Sequence, residues 1–210
     1  MPICRKNGLA YRSREIVGES TLVNALRNEH VLMDRFLFTL YRMSKQFERD
    51  EVLSTDAFDR FVDRALQFLW IELMGGHKTK EDALMLVIER EGLANTDGVL
   101  AGVVAEHENL QRFLRVLSNA VEMYRQNGQR FGITHLTRNA PRYGRQLSEH
   151  MCEEENNLFP LAEMLPFDVQ SALLEQFRAI DVQAHASVPE DALGLLRELE
   201  QERRKMRTRH

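Results

Sequence analysis

A chain of 210 residues, 43% hydrophobic and 29% charged, has enough apolar mass for one domain with a sizeable core, which excludes disorder as its main state. Its 28 basic against 32 acidic residues leave a net charge of −4, which argues against nucleic-acid binding, because phosphate recognition needs clustered positive charge. Glycine and proline together supply only 16 residues, a low share that favours long helices over turn-rich β architecture.

The opening Met1-Pro2-Ile3-Cys4-Arg5-Lys6 lacks a hydrophobic stretch before a cleavage site, and the longest apolar run, Ala83 to Ile88, is far short of the roughly 20 residues that span a bilayer. A cytoplasmic protein without membrane contact is expected, and residues 1–19 read as an N-terminal arm. From Thr21 to about Phe47, Val23, Leu26, Met33, Leu37 and Leu40 recur at helical spacing, with Ser20 available as an N-cap. A second helical pattern opens at Ser54-Thr55-Asp56, passes Phe58, Phe61, Ala65, Phe68 and Leu69, and ends at Gly92; Gly75-Gly76 inside it predicts a bend or pause. Leu100, Val103, Leu110, Leu114, Leu117 and Val121 define a third helix, introduced by Asn95 to Gly98 and closed near Asn127-Gly128. The fourth is read from about Pro141 to Leu165. Beyond Pro166 come a short amphipathic piece (Val169, Leu173, Leu174, Phe177) and a last helix opening at Pro189-Glu190-Asp191. Its basic end (Arg203, Arg204, Lys205, Arg207, Arg209) suits a helix C-terminus. Residues 20–165 thus read as one bundle and residues 166–210 as a helical extension. The two cysteines, Cys4 and Cys152, stand outside any C-x-x-C pair and read as incidental thiols.

The two halves of the bundle repeat. Glu29-His30 precedes Arg35-Phe36-Leu37 and Leu40 on the first helix, and Glu106-His107 precedes Arg112-Phe113-Leu114 and Leu117, at the same spacing, on the third. The second and fourth helices each carry H-x3-E, as His77 and Glu81 and as His150 and Glu154, followed by Leu84 and Leu158. Each half is a helix hairpin, with 47 residues between His30 and His77 and 43 between His107 and His150, so antiparallel packing brings the groups to similar heights.

All six side chains fall where the helical phase asks for an apolar residue. His30 shares the stripe of Leu26, Met33 and Leu37, and His107 that of Val103, Leu110 and Leu114; Leu73, His77, Glu81 and Leu84 share one face, Leu147, His150, Glu154 and Leu158 another. Burying a carboxylate without a partner costs several kcal/mol, and metal coordination offsets that cost. Side chains at i and i+4 lie one above the other, so one helix offers a nitrogen and an oxygen to one ion. Four imidazoles and two carboxylates in a bundle core favour a dinuclear iron site over a tetrahedral structural zinc, with manganese and zinc left open.

These residues resemble the hemerythrin-like, or HHE cation-binding, family over about residues 20–165. The motifs are Asn28-Glu29-His30, His77-x3-Glu81, Ala105-Glu106-His107-Glu108, and His150-Met151-x-Glu153-Glu154 followed by Phe159-Pro160. The resemblance implies an all-α, up-down-up-down four-helix bundle with additional C-terminal helices. It also implies two iron ions per chain, oxo- or hydroxo-bridged, on His30, His77, Glu81, His107, His150 and Glu154, with the two glutamates as bridges. Glu29 and Glu106 are candidates to support the ligands or carry protons, or else are solvent-facing helix charges. Oxygen carriers of the family have a fifth histidine one turn along the third helix, where this chain has Gln111; His135 and His185 lie out of register. The four-histidine, two-glutamate set is similar to the branch that includes iron-centre repair proteins and iron sensors, although the cysteine-containing N-terminal domain of the repair proteins is not found. The second helix has Leu84-Met85-Leu86-Val87 where the family often has Leu-Phe-Pro, a difference of packing. The expected function is binding or reaction of oxygen, nitric oxide or peroxide in stress or iron homeostasis. The alternatives are a sensor whose residues 166–210 dock a protein partner, and an iron store or donor for iron–sulfur repair.

Overall fold

The computed structural model describes residues 21–47, 55–93, 98–127, 129–186 and 192–207. Helix α1 spans Leu22–Phe47 and opens where Thr21 Oγ1 accepts a hydrogen bond from the Asn24 amide at 3.2 Å, satisfying a donor that a helix start leaves unpaired. Thr21 supplies this cap; Ser20, the expected one, lies outside the described residues, as does the 1–19 arm.

Helix α2 (Thr55–Phe68) runs into a π-helical stretch, Leu69–His77, and on into α3 (Lys78–Arg90). Gly75-Gly76 does not interrupt the helix. It lies in the wider π turn, which closes where the Lys78 amide donates to the Leu73 carbonyl five residues back. Helix α3 stops as expected at Gly92, whose φ of +71° is open to glycine; the Gly92 amide reaches the Glu89 carbonyl at 3.0 Å and the Leu93 amide reaches that of Ile88 at 3.1 Å.

Helix α4 spans Val99–Asn127 and α5 spans Gln129–Glu153. The fourth helix therefore begins about a dozen residues before the expected start, with Pro141 inside it. Proline forfeits one backbone hydrogen bond and reads as a boundary, yet Ala140, Tyr143 and Leu147 are buried on either side of it, and this packing outweighs the local propensity. A second π turn, Glu154–Leu158, leads into α6 (Phe159–Glu163), with Pro160 directly after the wider turn closed by the Phe159 amide on the Glu154 carbonyl. Helices α7 (Phe167–Ala184) and α8 (Ala192–Arg207) follow; Pro189-Glu190-Asp191 lies outside the described residues.

The core consists of two apolar clusters. One contains Met33, Phe36, Leu37, Phe61, Phe68, Leu73, Leu110, Leu114, Tyr143 and Leu147; the other contains Leu22, Leu26, Leu84, Ile88, Val103, Leu158, Phe159 and Ala162. Helix α1 passes from the second cluster to the first, α2–α3 returns, α4 repeats the path of α1, and α5–α6 returns again. That alternation is the up-down-up-down bundle expected. Helix α8 packs against α1 and α2, and its Leu195, Leu196 and Leu199 are fully buried in the first cluster. Helix α7 packs against the first π turn, α3 and α1, with Leu173 and Phe177 in the second cluster. The described residues contain no strand, and no described helix is long and apolar enough to cross a membrane.

Candidate metal centre

The two apolar clusters are separated by a polar layer, because each of the four runs carries its histidine at the crossing. His30 lies between Leu26 and Met33 and His107 between Val103 and Leu110; His77 and Glu81 lie between Leu73 and Leu84, and His150 and Glu154 between Leu147 and Leu158. All six are buried, the most exposed being His107 at 3%.

Their ligating atoms converge in two groups. His30, His77, Glu81 and Glu154 form one, and Glu81, His107, His150 and Glu154 form the other; within each group one donor atom per residue lies within 4.8 Å of the rest. Both glutamates belong to both groups. His77 Nε2 is 3.0 Å from Glu81 Oε1, while His107 Nε2 is 3.0 Å from Glu81 Oε2. His30 Nε2 stands 3.2 Å from Glu154 Oε2, and His150 Nε2 stands 2.8 Å from Glu154 Oε1. Each carboxylate thus turns one oxygen to each half of the layer.

The opposite ring nitrogens face a separate set of carboxylates. His77 Nδ1 donates to Glu29 Oε2 at 2.6 Å and His150 Nδ1 to Glu106 Oε2 at 2.8 Å, pairings within each half. His30 Nδ1 donates to Glu155 Oε1 at 3.0 Å, and His107 Nδ1 faces Asp82 Oδ1 at 3.6 Å, pairings that cross between halves. The last gap exceeds a hydrogen bond because aspartate is one methylene shorter than the glutamate in the matching place. A proton held on Nδ1 leaves the Nε2 lone pair directed into the layer, the tautomer a metal ligand requires.

The sequence pattern singled out Glu29 and Glu106, and both touch a histidine of their own half. Glu155 and Asp82 were missed, although the signal was present: an acidic residue follows the glutamate of H-x3-E in each half. Lys80, 2% exposed, was missed as well; its ammonium pairs with Glu29 and with Asp181 of α7. His185 stays apart, its Nε2 2.8 Å from Glu72, and the side chain of His135 lies outside the described residues. Cys152 takes no part in the layer, and Cys4 lies outside the described residues.

Burial works against charge on every ring, and the carboxylates overcome it. Glu154 and Glu155 hold His30 up, Glu81, Glu154 and Glu29 hold His77 well up, and Glu154 and Glu81 raise His107. Glu106, Glu154 and Glu81 push His150 up to about 10. The four imidazoles in turn hold Glu154 well below the usual carboxylate range despite its burial.

The residues fit a metal on an independent ground. Glu81 Oε1 and both oxygens of Glu154 are buried with no hydrogen bond of good geometry, although imidazole nitrogens stand 3.0 Å from the first and 2.8 Å from Glu154 Oε1. Unsatisfied carboxylate oxygens in an apolar core are costly, and a cation bound between them removes the cost. Imidazole nitrogen with carboxylate oxygen is a donor set suited to iron, manganese or zinc.

Comparison with known proteins agrees with this geometry. The family described as the hemerythrin HHE cation binding domain matches residues 21–162, a span that contains all six residues of the layer. No curated protein and no solved structure gave a match. With about two thirds of its length matched and the buried histidine–glutamate layer in place, the chain belongs to the hemerythrin HHE cation-binding domain family.

Proposed function

We propose that this chain is a non-haem di-iron protein. His30 and His77 hold one ion, His107 and His150 hold the other, and Glu81 and Glu154 bridge them. The observation that carries the reading is that both four-residue groups contain the same two glutamates, each with an oxygen toward either half. Bound iron supplies redox and Lewis-acid chemistry toward a small ligand, for which oxygen, nitric oxide and peroxide are the candidates.

The chain's own residues set the conditions. Glu29, Glu106 and Glu155 fix ring orientation through Nδ1, which holds each Nε2 ready as a donor. The apolar clusters flank the layer on both sides and limit the size of what reaches it, and Phe159 stacks on His30 with ring centroids 5.2 Å apart.

Anaerobic reconstitution with ferrous iron, followed by metal analysis and absorption spectra on adding oxygen, nitric oxide and peroxide in turn, tests the proposal. About two irons per chain are expected, with His77→Ala losing one and Glu154→Ala losing both. Fewer than two irons in the unmodified chain, unchanged by either substitution, would overturn it. Rapid loss of both irons to a chelator would favour an iron donor instead.

A further inference from the structure

The two halves of the layer repeat in sequence but are braced differently. In the first half, His77 Nδ1 donates to Glu29, and the other oxygen of Glu29 accepts from the Lys80 ammonium. Lys80 is buried, its ammonium stands 2.5 Å from Asp181 Oδ1 on α7, and it lies 5.9 Å from the centre of the Phe177 ring. A continuous line of contacts therefore runs from the C-terminal extension through Asp181, Lys80 and Glu29 to a histidine of the layer. Gly75 faces α7 at ordinary packing distance, since a Cβ there would stand 3.7 Å from Ala184 Cβ.

In the second half the place of Lys80, three residues beyond the histidine, is taken by Glu153, an exposed acid paired with Asn157 at 2.7 Å. Glu106, which supports His150, is 37% exposed, and Asp82, which faces His107 Nδ1 without reaching it, is 47% exposed. One half is thus held by a buried lysine between two acids, whereas the other depends on Glu106 at the surface and on Asp82, whose second oxygen pairs with Lys78 at 2.5 Å on the outside of α3. A carboxylate bonded to a buried ammonium has few other positions available; one at the surface is solvated and screened, and moves readily.

We propose that Lys80 and Asp181 are positioning residues for the metal centre: they lock Glu29 against His77, so that the ion on His30 and His77 is retained while the ion on His107 and His150 exchanges first. The inference rests on the two-ion reading above. It gives α7 a role at the centre and makes two positions with equal donor counts unequal in kinetics. An ion leaves when its ligands rotate away. Rotation of His77 requires parting Glu29 from a buried ammonium that the half-exposed Asp181 also holds, while rotation of His150 requires only displacing a solvated glutamate.

The test loads the full chain with two ferrous ions anaerobically, adds excess ferrous chelator and follows the coloured product. Two phases of one ion each are expected. Asp181→Asn should speed the slow phase by roughly tenfold or more, within the 10–100-fold range typical of residues that support metal ligands, and leave the fast phase unchanged. Asp181→Glu should restore the slow phase. Lys80→Met, which removes the buried ammonium at similar length, should act on the same phase, and Glu106→Gln should speed only the fast one. Asp181 is 45% exposed, so its substitution is compatible with folding, checked by the helical circular dichroism of the metal-free variant. A single phase in the unmodified chain, or an Asp181→Asn effect that is equal on both phases or absent, would overturn the inference while two bound ions left the di-iron reading intact. Failure to bind two ions would overturn both.

Discussion

His150 shows how single residues make a charged layer tolerable in an apolar core. Burial alone would favour its neutral form, yet Glu106, Glu154 and Glu81 raise it from 6.5 to about 10, and the other three histidines of the layer are raised too. Groups whose folded values are raised stabilise the chain fully below their unfolded value, and that contribution is lost as pH rises through the folded value. Glu154, depressed, contributes above the ordinary carboxylate value and loses its contribution as pH falls through its lowered one. Chelator-treated protein should therefore melt at a lower temperature at about pH 9 than at about pH 6. A melting temperature constant across that interval would show that the rings are not protonated in the metal-free fold. At this scale the sequence was informative about the layer itself, because six polar residues stood at apolar phases of four helices. It was less informative about what surrounds the layer. Glu155 and Asp82 sit beside residues already singled out, but which imidazole each faces depends on the neighbouring helix.

Among the elements, the helices with an unbroken apolar period were legible, and so was the Gly92 stop, since both depend on local phase and backbone freedom. The start of α5 was not, because Pro141 ends the local signal while the helix continues under tertiary packing. Nor were the π turns, because one extra residue per turn shifts phase without requiring a particular residue type. They end at His77 and begin at Glu154, the residues whose direction matters most. Helix α8 was legible only as a last helix with a basic end, with no indication of its place, and the fold sets Leu195, Leu196 and Leu199 in the same cluster as Phe36 and Phe61. Leu196→Ala should cost about 2–5 kcal/mol in urea unfolding, the range for a buried leucine that leaves a cavity. A cost below about 1 kcal/mol would mean that α8 is an appendage rather than part of that core.

For the whole molecule, the duplicated motif predicts a twofold plan, and the structure keeps it in the layer while departing from it around the layer. Metal binding should then stabilise the fold as a unit, since both apolar clusters border the same side chains. At a free-ion concentration about 100 times the dissociation constant the gain is roughly 2.7 kcal/mol, which in a domain of this size corresponds to about 5–10 °C in melting temperature. Calorimetry with and without chelator measures it, and equal melting temperatures would show that the layer does not bind the ion supplied. The sequence by itself determined the helical class, the alternating bundle and the six-residue layer, because each follows from periodicity within one helix and from a repeat between halves. Only the tertiary structure decided that carboxylates of one half support histidines of the other, that α8 completes the core, and that Lys80 is buried under α7. Those contacts join residues far apart in the chain, and their chemistry exists only once the helices have packed.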